Sequence, residues 1–498
     1  MADGNHPSGD LYHEKEKEER GIGDVSPGVV AKVDETILKH SRDADAAMKA
    51  FEGMEGQTVE LSEEANRRLL RKIDRHLMPK SQIMCIVYGL NYLDKTTLSY
   101  ASIMGLKLPP SDDKLKSGIG ISGTEYSWLS SLFYFGYLAW EYPTSRLLQR
   151  LPLGKYSAFN IIMWGIVLSC FAAVENYSGA IAIRFFLGVF EAAVTPGFAL
   201  FTSQWYTKRE QGLRTGIWFS FNGFAQIFGG LLAYGIAVAT RTYGTIMAPW
   251  KIVFLVTGIL TTTVGLLFLR IVPDNQLNCR WLTPEERILA LERIRINGQG
   301  VGNKHFKWYQ LREALLDPLC WAFFLYALIA DIPNGGLSNF FSQLIVGFGY
   351  TPEESLLYGT PGGAVEIVAL IVCGLLTLTF TFTLTFTFIF TLSSLYYSSY
   401  LLPSLPPVCP PLPSPQLTPQ PGPQTFRPSH APRYIPAEIT IIICYSLCLL
   451  IMAFIHVYCV AQNKKKAAIR AAPGYVRLEN QEWLDLTDGE NVEFVYTL

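Results

Sequence analysis

Apolar stretches of about twenty residues recur along this chain from residue 81 onward, separated by short polar breaks. They cover residues 81–106, 124–148, 155–174, 179–206, 212–237 and 250–271, then 317–346, a segment starting near 355, and 439–460. Each is close to the ~20 residues a helix needs to cross a ~30 Å hydrocarbon layer at 1.5 Å per residue. The pattern predicts an all-α membrane bundle. Ahead of it, residues 1–61 lack sustained periodicity and predict a disordered tail without a cleavable signal peptide. From Ser62 to Leu77, the apolar residues Leu69, Ile73 and Leu77 recur every four positions, which predicts an amphipathic helix lying on the membrane surface.

The polar breaks set the orientation. Arg67, Arg68, Arg71, Lys72 and Arg75 precede the first span, Arg146, Arg150 and Lys155 follow the second, and Lys208, Arg209 and Arg214 follow the fourth. Basic residues gather on the cytoplasmic side, so these connections and both termini are expected there. Residues 273–317 form a long polar connection, in which Thr283-Pro284-Glu285-Glu286 reads as a capping box with proline at the first helical position, opening a linker helix to about Ile296. Near Leu376 the character changes. Thr alternates with Phe or Leu through residue 392, a strand-like period, and a Ser, Pro and Leu run follows to residue 432. Eight spans return the chain to the cytoplasm, so Lys464, Lys465 and Lys466 after the last span require one more crossing, which only residues 376–402 are long and apolar enough to supply.

The expected organisation is a tail (1–61), a six-helix half (62–272), a cytosolic linker (273–317), the start of a second half (318–376), a low-complexity insert (377–430), a last span (431–462) and a cytosolic tail (463–498). Composition agrees with a polytopic membrane protein: 49% of the 498 residues are hydrophobic, 17% are charged, and mean hydropathy is +0.22. A net charge of -1 leaves no excess of Lys and Arg to neutralise nucleic-acid phosphates. The 9 Cys form no CxxC pair or zinc spacing, so no metal or cofactor is expected. No HExxH, GxSxG or Walker pattern points to an enzyme.

Candidate chemistry lies in the charges inside apolar segments, where each costs at least ~2.5 kcal/mol to insert and therefore faces a cavity, a partner or a transported ion. Arg184 and Glu191 lie seven residues apart on one helix face, ~10 Å along the axis. Either they line a transport pathway or they form a structural ion pair between helices. In the first span, Asn91-Tyr92-Leu93-Asp94-Lys95 places opposite charges side by side. Asp94 and Glu191 are candidate proton carriers, and Lys95 and the planar fork of Arg184 suit an anion. The alternative for Asp94 and Lys95 is a self-compensating local pair. Asn222 and Gln226, four apart in the fifth span, either bind substrate or bridge helices; Gly216, Gly223 and Gly230 give that span a small-residue packing face. Asp331, Asn334 and Asn339, with Pro333 and Gly335-Gly336 among them, predict a broken, cavity-lining seventh helix.

Several of these residues carry a resemblance. Asn91-Tyr92-Leu93-Asp94-Lys95, Tyr142-Pro143 with Leu151-Pro152-Leu153-Gly154-Lys155, and Arg184-x-x-x-Gly188-x-x-Glu191 with Pro196-Gly197 look like the major facilitator superfamily. With Ala248-Pro249-Trp250-Lys251, Trp281-Leu282-Thr283 and the tail from Glu479 through Asp488, the chain is similar to the fungal allantoate permease group of anion:cation symporters. The resemblance implies a monomeric plasma-membrane bundle of twelve helices in the lipid bilayer that takes up a small organic anion with protons. Allantoate, ureido acids, nicotinate, pantothenate and biotin are the substrates it implies. Asp94 and Glu191 would couple protons, while Lys95 and Arg184, with Asn91, Asn222, Gln226 and Asn334, would face substrate. Two departures stand out. Lys95 occupies a position usually held by Arg in that group, and the second half lacks the rest of the eighth helix and the ninth to eleventh, which makes a transport-dead partial transporter the rival reading.

Overall fold

The computed structural model describes residues 63–77, 83–295, 308–376, 435–473, 475 and 487–496. Among them every regular element is helical: Glu63–Leu77 (α1), Ile83–Ala101 (α2), Gly123–Arg150 (α3), Leu153–Cys170 (α4), Tyr177–Glu191 (α5), Val194–Trp205 (α6), Lys208–Tyr243 (α7), Pro249–Ile271 (α8), Pro284–Arg295 (α9), Trp308–Leu316 (α10), Pro318–Gly347 (α11), Pro352–Tyr358 (α12), Thr360–Leu376 (α13) and Ile435–Arg470 (α14). Seven described segments are long and apolar enough to cross a membrane: Leu153–Ala173, Tyr177–Trp205, Lys208–Tyr243, Pro249–Ile271, Pro318–Gly347, Pro352–Val372 and Ile435–Arg470. The helices α2 and α3 are more polar. Asn91, Asp94 and three Ser or Thr of α2 are buried, and α3 buries Ser127, Ser130, Ser131 and Thr144.

Helix α2 sits at the centre, packed against α7, α8 and α11, while α3 pairs with α5, α4 with α8, and α7 with α12 and α13. The last span α14 lies against α11, so the pairing of first and sixth spans (α2 with α8) is repeated by α11 and α14. Glycine lets the tightest pairs approach. A Cβ at Gly188 would stand 2.0 Å from the Phe133 carbonyl oxygen and one at Gly136 2.1 Å from that of Phe185, so α3 and α5 touch backbone to backbone. Gly223 and Gly363 do the same for α7 and α13, each Cβ falling within 2.5 Å of the other's carbonyl oxygen.

One face of the bundle, here called the linker face, carries α1, α9 and α10. Arg293 of α9 is buried there; it donates to Asn66 of α1 at 2.8 Å and to the Trp205 carbonyl at 3.0 Å, and it pairs with Glu210 of α7. Lys72 of α1 meets Glu286 of α9 at 2.5 Å, and Asp74 of α1 meets Arg214 of α7 at 2.9 Å. These contacts correct the expectation for α1. Its apolar edge, Leu69 and Ile73, is buried in the protein core instead of resting on lipid, because the polar edge is clamped by α7 and α9. Thr283 and Glu286 exchange hydrogen bonds of 2.9 and 3.3 Å at the start of α9. On the opposite face Asn176 caps α5, accepting from the Gly179 amide at 2.8 Å.

The seventh span also differs from expectation. Helix α11 is continuous from Pro318 to Gly347, with Pro333 inside it. Neighbouring polar groups hold the helix together: Asn339 Nδ2 donates to the Gly335 carbonyl at 2.8 Å, and the Asn339 carbonyl accepts from the Tyr126 hydroxyl at 2.7 Å. Beyond it, α13 runs antiparallel to α7 and ends near the linker face, whereas α14 runs antiparallel to α11 and starts on the far face. The additional crossing expected between them falls on residues outside those described, as does the insert at 377–430.

Candidate functional site

The charges singled out in the sequence converge between α2 and α5. Asp94 is 1% exposed and Arg184 1%, with Arg184 Nη1 3.8 Å from Asp94 Oδ1. Next to them Lys95 Nζ lies 3.2 Å from Glu191 Oε1, with Glu191 fully buried and 23% of the Lys95 side chain exposed. The pairing is crossed: adjacent residues on α2 reach residues two turns apart on α5. Asp94 and Lys95 therefore do not act as the local pair that their adjacency allows. The i, i+7 spacing is what makes this possible, since it keeps Arg184 and Glu191 on the face that Gly188 brings against α3.

Three further side chains complete the cluster. Trp164 of α4, fully buried, donates Nε1 to Asp94 Oδ2 at 2.8 Å. Asn91, one turn before Lys95, accepts from Lys95 Nζ at 3.2 Å. The Phe133 ring of α3 stands 5.3 Å from the Arg184 guanidinium carbon and 6.0 Å from Lys95 Nζ, within cation–π range of both. Several polar atoms here are buried without an aligned hydrogen bond: Asp94 Oδ1, Arg184 Nε and Nη1, and both carboxylate oxygens of Glu191. Such groups are rare in protein interiors and mark places where a proton or ligand changes the balance.

Around Lys95 lie tyrosines from two helices, Tyr88 of α2 and Tyr134 and Tyr137 of α3, whose hydroxyls share its electrostatic field. Thr195, at the start of α6, lies beside Tyr88 and Tyr137. Across from them is α11, where a Cβ at Gly335 would stand 3.1 Å from the Tyr134 hydroxyl. Toward the far face the seam between α2, α3 and α11 is packed, with Ser342 N donating to Ser99 Oγ at 3.2 Å and Tyr126 edge-on to Phe340 at 5.2 Å.

The amides are dispersed. Asn334 of α11 accepts from Ser338 Oγ at 3.2 Å. Asn222 stands next to Gly223, which abuts Gly363 of α13, and Gln226 packs beside Gly363, so both lie on the seam between α7 and α13 and not with the four charges. Sequence reasoning missed Trp164 and Phe133, for which an aromatic in an apolar run gives no signal. It also missed Glu366, whose charge inside an apolar segment was a signal. Among the described residues no three His, Cys, Asp or Glu side chains gather as a metal site.

Residues 84–411 match the family model for the Major Facilitator Superfamily. The chain belongs to that superfamily. This facilitator is 46% identical to an uncharacterized transporter of Schizosaccharomyces pombe over 64% of its own length and 60% of the relative's. It is 37% identical to the allantoate permease of Saccharomyces cerevisiae over 69% and 61% of the two chains, and 34% identical to a thiamine pathway transporter of the same yeast over 62% and 56%. The facilitator thus spans about three fifths of the length of the curated relatives it matches. It is an integral membrane protein of a transporter family, not an enzyme, and its fold is the helical bundle of that superfamily.

Proposed function

We propose that this facilitator is a proton-coupled importer of a small organic anion, of the class that includes allantoate, nicotinate, pantothenate and similar carboxylates or vitamins. The observation that carries the reading is the crossed, buried pairing of Asp94 with Arg184 and Lys95 with Glu191. Two acids and two bases that neutralise one another form a site whose charge changes by one with each proton bound. Protonation of Glu191 releases Lys95, the one cation of the four with partial exposure, to meet a carboxylate. Protonation of Asp94 does the same for the bidentate fork of Arg184. Anion binding is then linked to proton binding, which is the requirement for symport.

In this account Asp94 and Glu191 carry protons, Lys95 and Arg184 bind the carboxylate, Asn91 positions Lys95, and Asn222, Gln226 and Asn334 contribute from the walls. The relatives' names support the substrate class. The basic residues around α1, α7 and α9 support a cytoplasmic linker face with both termini on that side; on the same reading the facilitator is a plasma-membrane monomer built of a six-helix half (62–272) and a second half starting at 318. A second reading rests on chain length. A facilitator that spans three fifths of its relatives is a transport-dead partial transporter if the segment between Leu376 and Ile435 does not restore a second half. Uptake of radiolabelled allantoate, nicotinate and pantothenate into proteoliposomes at pH 5 and pH 7 separates the two. Acid-stimulated uptake that disappears in Arg184→Ala supports symport; a correctly inserted protein that moves none of them supports the second reading.

A further inference from the structure

Asp331 lies midway along α11, in the interior of an apolar span, and the four-charge cluster does not use it. Its side chain is exposed and looks across the seam to the first half. The charge of Lys95 on α2 acts on it, and its own charge acts on Tyr88 of α2 and on Tyr134 and Glu141 of α3. One turn further on, Gly335 abuts the Tyr134 hydroxyl, which fixes this part of α11 against the tyrosines that surround Lys95. Asn334, three residues beyond Asp331, is held through its Oδ1 by Ser338 at 3.2 Å. Among the described residues the Asp331 carboxylate has no ion pair.

The charge balance gives that carboxylate a consequence. Asp94, Lys95, Arg184 and Glu191 cancel, so Asp331 leaves the space between Lys95 and α11 with an uncompensated acceptor. A substrate that is only an anion meets Lys95 at one end and is repelled at the other. A substrate with N–H groups at its far end is attracted at both. We propose that Asp331 is the second-half specificity residue of the substrate site and accepts hydrogen bonds from an amide, ureide or ammonium at the end of the substrate opposite its carboxylate. The assignment rests on the reading of Lys95 as the carboxylate-binding residue.

Succinamate and levulinate test it, because both are four-carbon-backbone carboxylates of the same shape and differ only in a terminal NH2 against CH3. Calorimetry on the purified full chain in detergent is expected to favour succinamate about tenfold or more, the scale of a hydrogen bond to a charged acceptor. Asp331→Leu removes that preference while leaving levulinate affinity within about twofold, and Asp331→Glu restores much of it. Lys95→Ala weakens both probes. A preference that persists in Asp331→Leu overturns the assignment, and so does an equal loss of both probes in that variant with no rescue by Asp331→Glu. Insensitivity of both probes to Lys95→Ala, or no binding of either by the wild type, overturns the underlying reading and the assignment with it.

Discussion

Removing Lys95 tests the crossed pairing directly. At 3.2 Å and an effective dielectric near 20, the attraction between Lys95 and Glu191 is about 5 kcal/mol; at 3.8 Å that between Asp94 and Arg184 is about 4 kcal/mol. Most of that gain offsets desolvation, so the pairs matter less for what they add than for what a broken pair leaves behind. Lys95→Ala strands Glu191, which is 0% exposed, and is expected to cost about 3 kcal/mol or more. Glu191→Gln strands Lys95, which retains partial exposure and the Asn91 contact, and costs about 1 to 2 kcal/mol. The double variant leaves no buried charge unpaired and recovers at least about 1.5 kcal/mol relative to the sum. Unfolding in mixed micelles, read by tryptophan fluorescence, gives the cycle. A parallel cycle on Asp94 and Lys95 is the internal control, since the two are neighbours in sequence but partners of different residues in space. The reasoning fails if the Lys95–Glu191 effects add within about 0.5 kcal/mol, or if the coupling of Asp94 to Lys95 exceeds that of Lys95 to Glu191.

Other outcomes follow from the packing and the loops. Gly188→Val places side-chain atoms where the Phe133 carbonyl stands and is expected to separate α3 from α5, lowering stability by about 1 to 3 kcal/mol and depressing transport through displacement of Phe133; normal thermal stability and uptake contradict the close approach. Burial pushes the Lys107 ammonium, which bridges to Gln343 at 2.5 Å, down to about 8 from the usual 10.5. Between those values the unfolded chain binds more protons than the folded one, so stability rises with pH across that window, by at most about 1.4 kcal/mol per unit. Thermal melts from pH 7.5 to 10 should show the rise, and Lys107→Met should flatten it. Phe494, in the C-terminal segment, lies 4.7 Å from Lys208 of α7 and 5.1 Å from Lys466 of α14; Phe494→Ala is expected to loosen residues 487–496, read as faster amide exchange there.

The four charges were legible because a charge in an apolar run is conspicuous and because seven residues return a helix to the same face. Their partners were not. Which acid meets which base depends on how α2 faces α5, and α5 is held in place through α3 by contacts of Gly136 and Gly188 with backbone carbonyls, which a sequence reading sees only as glycines. Trp164 was hidden for a related reason, since its hydrogen bond to Asp94 joins positions 70 residues apart. The break expected in α11 from Pro333 and Gly335-Gly336 did not occur; the packing of this stretch on the first half, with Gly335 against Tyr134 and Ser342 N donating to Ser99 Oγ, is something local propensity does not count. Likewise the stripe of α1 was correctly apolar, but stripe and charge pattern alone do not say whether lipid or protein covers it. Asn222 and Gln226 at i, i+4 left substrate contact and helix bridging open, and the seam they lie on, between α7 and α13, is set by the close approach of Gly223 to Gly363.

The measurement closest to the central claim is the proton movement that accompanies substrate entry. Proteoliposomes carrying the full chain and an internal pH indicator are given allantoate, nicotinate or pantothenate with no imposed proton gradient. The account predicts internal acidification on addition of at least one of these carboxylates, and loss of acidification in Glu191→Gln while calorimetry still detects that carboxylate on the variant. Substrate entry with an unchanged internal pH, or acidification that persists in Glu191→Gln, contradicts it.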